Sequence, residues 1–144
     1  MLENDTDYQQ CDECSCGSHH HPRKPPNKRR SETFKLIMTG HEFYLGVGRY
    51  DDGSLCEIFI DIQKEGSIIR GLFNCLAIAV SLGIQYGVPL KTFINFFSQV
   101  SFEPSGPVYG YPPIRKAKSI VSCIFRLLGK EFIDRDGFND EEYN

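Results

Sequence analysis

No run in this 144-residue chain reads as a membrane span. Its longest uncharged apolar stretch, Gly71 to Ile84, falls short of the ~20 residues that cross a bilayer. Nothing at the amino terminus resembles a secretory leader either, because MLENDTDYQQ is polar and acidic. The spacings of a P-loop and of a dinucleotide-binding turn are both missing, which excludes the commonest glycine-rich phosphate cradles. Without an export signal, six cysteines read as reduced thiols or metal ligands before disulfides, and the expected compartment is the cytoplasm.

Bases are absent from residues 1–13 and acids from Arg23 to Arg30, an asymmetry that the net charge of -3 conceals. The charge sits in flanks without apolar periodicity, so residues 1–33 are expected to be a flexible tail, 34–133 the folded domain and 134–144 an acidic tail. Within the first tail, Cys11, Cys14, Cys16 and His19 offer four soft ligands, the number that tetrahedral zinc requires. The single residue between Cys14 and Cys16 strains an ordinary knuckle, so zinc competes with an exposed segment. RKPPNKRR could touch phosphates, but it holds two consecutive prolines and no aromatic residue for base stacking. A solvated linker is the better reading, and nucleic acid is not expected as a partner.

The stretch from Cys56 to Pro89 organises the rest. Ile58, Ile60 and Ile62 alternate with Phe59, Asp61 and Gln63, the period of a strand with one buried face. From Ser67 to Tyr86 apolar residues recur at three and four positions with small residues between them, predicting a helix surrounded by protein. Ser67 suits its N-cap, Gly87 its termination, and Pro89 blocks continuation. Upstream, Phe34–Thr39 and Glu42–Tyr50 read as strands, with DDGS turning into the third. Downstream, Leu90–Val100 reads as a helix, FEPSGPVYGYPP as a loop, and Lys116–Phe132 as a third helix. The predicted class is α+β, a three-stranded antiparallel meander followed by three helices on the sheet (β-β-β-α-α-α).

EIFIDIQKEG, SLGIQYGVPL, FEPSGPV and AKSIVSCIFRLL, in this order and at these intervals, are similar to the TSCPD domain, the carboxy-terminal accessory region of adenosylcobalamin-dependent (class II) ribonucleotide reductases. The resemblance runs from about Lys28 to Ile133. It departs at Cys56, where the family commonly has Gly, and at Ser122 and Cys123. It implies an accessory or regulatory module of a ribonucleoside-diphosphate reductase. The catalytic barrel with its thiyl-forming cysteine and cobalamin site would lie elsewhere. Any adenosylcobalamin would then be bound only through a separate catalytic chain, which is the implied partner.

A ligand-binding alternative rests on the residues themselves. Lys64, Gly66, Ser67 and Arg70 surround the amino end of the long helix, where free amides and the dipole favour an anion such as a nucleotide phosphate. The 104–113 loop is the expected other wall, and His41 follows a strand turn as a further contact. A capped helix with a salt-linked Arg70 is the plainer account of the same residues. Glu57 and Asp61 form no recognisable catalytic pair, and Cys56, Cys75 and Cys123 read as small core hydrophobes. Two exposed sheet edges and an apolar helix predict a homodimer.

Overall fold

The computed structural model describes residues 21–133. Three antiparallel strands come first: β1 (Ser31–Met38), β2 (His41–Arg49) and β3 (Leu55–Ile62). Alternation sends Leu36, Met38, Phe43, Leu45, Val47, Ile58, Ile60 and Ile62 to one buried face. The register builds that face in cross-strand pairs, Leu36 opposite Phe43, Leu45 opposite Ile60 and Val47 opposite Ile58. Thr39 and Gly40 both have positive φ (47° and 83°), which matches the twist of a two-residue hairpin between β1 and β2.

The strand region begins at Ser31 rather than Phe34, and the basic segment before it is fastened down. Arg23 donates its backbone N–H to Gln85 at 2.8 Å, and its carbonyl accepts from the Tyr50 hydroxyl at 2.6 Å. The Arg23 guanidinium lies 3.8 Å over the Tyr50 ring and 3.0 Å from Asp52. Arg29 pairs with Glu57 on β3.

Helix α1 (Ser67–Gln85) follows, capped by Gly66 rather than by Ser67, and without a side-chain cap. It is bound to β3 through polar side chains: the Ser81 hydroxyl accepts from the Ile58 N–H at 2.9 Å, and Gln85 Nε2 donates to the Cys56 carbonyl at 3.1 Å. Of its 19 residues only Ala77 and Val80 are buried, which corrects the expectation of a surrounded helix. Ile68 is 77% exposed, Leu72 64% and Leu82 45%. The periodicity was a true signal of helix, but periodicity does not say whether this chain or another covers the second face. By length and composition α1 is also long and apolar enough to cross a membrane, since the helix extends beyond the uncharged run.

Helix α2 (Leu90–Phe97) ends before Val100, with Ile94 buried and Phe96 turned out. It packs on the third helix, and its Phe93 ring reaches the α1 backbone at Gly83, which has no side chain. A Cβ there would sit 2.6 Å from the Phe93 ring.

The expected loop contains β4 (Gly106–Tyr109), and Lys116–Ala117 forms β5 instead of opening the third helix. The sheet therefore has five strands in the order β3-β2-β1-β4-β5, not three. The reason is the free edge of β1, whose unpaired backbone groups are met by β4 where Ile37 faces Tyr109 and Met38 faces Val108. Helix α3 (Ile120–Phe132) starts only after Ser119, whose hydroxyl accepts from the Ser122 N–H at 2.9 Å. Every residue from Ile120 to Gly129 is buried, so α3, not α1, is the helix enclosed by the domain.

Candidate functional site

The turn from β3 into α1 brings the predicted ligand residues together. Lys64 has φ 58°, Gly66 starts the helix, and Ser67 is exposed in the first turn. Arg70 reaches back to Asp61 at 3.3 Å, and His41 Nδ1 meets a Glu65 oxygen at 2.7 Å. Arg70 and His41, placed here to receive an anion, thus already face carboxylates.

Beside this turn lies a cleft of about 480 Å³ that joins His41, Glu65 and Pro104 to the apolar side chains of Ile69, Leu72 and Phe102. The 104–113 loop does reach this wall through Pro104, but Lys64, Ser67 and Arg70 do not line it. What it offers is apolar surface with a His–Glu pair at the rim. A second cleft, of about 800 Å³, sets Arg23, Arg30 and Arg49 against Glu32, Asp52 and Glu131, three charges against three. There the Ser54 hydroxyl and N–H, together with Arg23, hold the Asp52 carboxyl down at about 2.

A third cleft was missed from sequence. Ser105 and Gly106 from FEPSGPV meet Lys118, Ser122 and Arg126 from AKSIVSCIFRLL, with Gln99 beside them. Its signal lay in the polar residues inside two otherwise apolar motifs, Lys118 and Arg126 above all.

Of the three cysteines expected in the core, Cys56 and Cys123 are buried and Cys75 is exposed on α1. Burial pushes the Cys123 thiol up to about 12, so it behaves as a small apolar side chain. The proposed zinc ligands Cys11, Cys14, Cys16 and His19 lie outside the described residues.

The family model of the TSCPD domain matches residues 17–132. The chain belongs to the TSCPD domain family. Its relatives include three proteins named vitamin B12-dependent ribonucleotide reductase. That of Bradyrhizobium diazoefficiens is 48% identical over 78% of this chain and 9% of the relative. That of Agrobacterium fabrum is 45% identical over 78% of this chain and 9% of the relative. That of Rhodopirellula baltica is 44% identical over 79% of this chain and 11% of the relative. This TSCPD chain therefore spans about a tenth of the length of the relatives it matches. No solved structure matches it.

Proposed function

We propose that this TSCPD chain is an accessory or regulatory module that docks on a cobalamin-dependent ribonucleotide reductase catalytic chain in the cytoplasm, and that it has no reductase activity alone. The observation that carries this is the exposed stripe Ile68, Leu72, Cys75, Leu82 on α1, in a domain that its relatives carry as about a tenth of a much longer chain. An apolar face of this kind on a soluble domain marks a contact surface. Among the described residues, the 480 Å³ cleft has its polar groups at the rim, and the charges of the 800 Å³ cleft balance one another.

A homodimer is the competing occupant of the same stripe, because Ile68, Cys75 and Leu82 fall seven residues apart, a spacing that suits an antiparallel pair of α1 helices centred on Cys75. Sedimentation of the labelled chain, alone and with a reductase truncated before its own TSCPD region, separates the two. A complex with the truncated reductase and a change in its turnover supports docking. A dimer that ignores the reductase assigns the stripe to self-association. The α1 amino end, with Lys64, Gly66, Ser67, Arg70 and His41, stands as a proposed nucleotide contact in either case, on condition that Arg70 leaves Asp61 to meet a phosphate.

A further inference from the structure

The cleft of about 480 Å³ beside the start of α1 falls within the ~300–1,000 Å³ of ordinary ligand sites. Its floor is core, the buried Ile62 of β3 and Ile120 of α3. Its walls are exposed apolar side chains, Ile69 and Leu72 from α1 and Phe102 from the segment between α2 and β4. The Phe102 backbone is tied to the segment before α3, donating its N–H to the carbonyl of residue 118 at 3.2 Å.

Polar groups stand at the rim, and there the charge is one-sided. Glu65 and Glu103 face a single imidazole, His41, and no Lys or Arg lines the cleft among the described residues. Even a protonated His41 would leave the rim net negative. Both carboxylates are held in place: Glu65 meets His41 Nδ1 at 2.7 Å, and Glu103 accepts from the N–H and hydroxyl of Ser105 at 3.1 Å each. Each keeps room to accept more, since an ionised carboxylate offers about four lone-pair sites. An apolar hollow with acids at its lip matches a bulky apolar side chain that has a cation for a neighbour.

The source of that side chain follows from charge. Within this chain, residues 1–20 hold five acids without Lys or Arg, and residues 134–144 hold five acids with Arg135 alone, so neither segment complements the rim. A second copy fares no better. An antiparallel pair of α1 helices would bring up the last turn of the other helix, which has no base. Leu72 belongs both to this wall and to the outward stripe, so a protein that covers the stripe is in position to fill the cleft.

We infer that the cleft receives a bulky apolar side chain, flanked in sequence by Lys or Arg, from the protein that docks on the α1 stripe, with Glu65 and Glu103 as countercharges. This rests on the docking reading above and adds the chemistry of the segment that docks.

The test follows amide chemical shifts of the isotope-labelled full chain at low salt, with the blocked dipeptides acetyl-Phe-Lys-amide, acetyl-Phe-Gln-amide and acetyl-Ala-Lys-amide as probes. Phe-Lys should saturate shifts at Glu65, Leu72 and Phe102, and the other two should bind about threefold to tenfold more weakly. The variant E65Q/E103Q keeps acceptors toward His41 and Ser105 while removing both charges. It should bring Phe-Lys and Phe-Gln to equal affinity and weaken the complex with the truncated reductase by a similar factor. No saturation by any probe at millimolar concentration overturns the inference, as does a preference for Phe-Lys that survives in E65Q/E103Q. A reductase that binds both chains equally well overturns the cleft as part of the interface. Saturation by Phe-Lys without any reductase complex upholds the chemistry of the cleft and refutes the docking reading, so the two fail separately.

Discussion

Leu72→Ser separates a contact surface from a structural core. Leu72 is 64% exposed on α1, so this chain covers only about a third of it. Full burial of a leucine side chain stabilises by about 1.5–3 kcal/mol, and the part left for a partner is then about 1–2 kcal/mol. Loss of that contact predicts about a five- to thirtyfold weaker complex with the truncated reductase, read by fluorescence anisotropy. The folded domain should scarcely notice, with a change within about 1 kcal/mol by urea denaturation. Leu127→Ala is the counterpart on α3. Leu127 is 0% exposed, and its truncation should cost about 2–5 kcal/mol of stability. The reasoning fails if Leu72→Ser destabilises the domain as much as Leu127→Ala, or if it leaves the affinity for the reductase untouched.

Asp52 predicts an acid limb. Its carboxyl is held at about 2 against an ordinary 3.8, so its contribution to stability is complete above 3.8 and is lost as pH falls through about 2. Asp52→Asn should flatten the fall in melting temperature over that window and nowhere else. Arg70→Ala breaks an exposed pair with Asp61 and should change stability by less than about 0.5 kcal/mol. If the α1 amino end takes a phosphate, the same variant weakens nucleotide binding about tenfold to a hundredfold, and equal affinities in calorimetry refute that contact. Zinc at Cys11, Cys14, Cys16 and His19 predicts about one metal per chain by elemental analysis, lost in Cys14→Ser. Chelator-free protein without zinc refutes the site.

Much of the sheet was legible because alternation is a local property. Ile58, Ile60 and Ile62 announce which face of β3 is buried, and they are 2%, 7% and 1% exposed. The added strands were not legible. β4 is four residues and contains Pro107, and β5 is two residues, so neither carries enough alternation to stand out. They form because β1 leaves an open edge, a fact that exists only after the meander has folded. The start of α3 had a local sign in Ser119, a good N-cap, but the apolar pattern beginning at Ile120 was extended backward over Lys116–Ala117. The amino end of α1 was placed to within one residue, Gly66 rather than Ser67 being its cap, and the pairing of Asp61 and Glu65 beside it entered only with the geometry.

The two longer helices show why composition could not rank them by burial. α1 and α3 are both rich in aliphatic residues, yet α3 has ten consecutive buried positions and α1 has two. The difference lies in what each spends on its own domain. α1 meets β3 through Ala77, Val80, Ser81 and Gln85, small or polar side chains that allow close approach and satisfy backbone groups of an edge strand. Of its larger residues, Phe73, Leu76 and Ile84 pack half-buried against the core, whereas Ile68, Leu72 and Leu82 are left outward. α3 does the reverse, turning Ile124, Phe125, Leu127 and Leu128 into the core and keeping one cation, Arg126, against the basic cleft. No residue of α1 lines that cleft. Because Leu72 lies outward on α1 and Leu127 lies in the core on α3, a loss of docking can be told apart from a loss of folding.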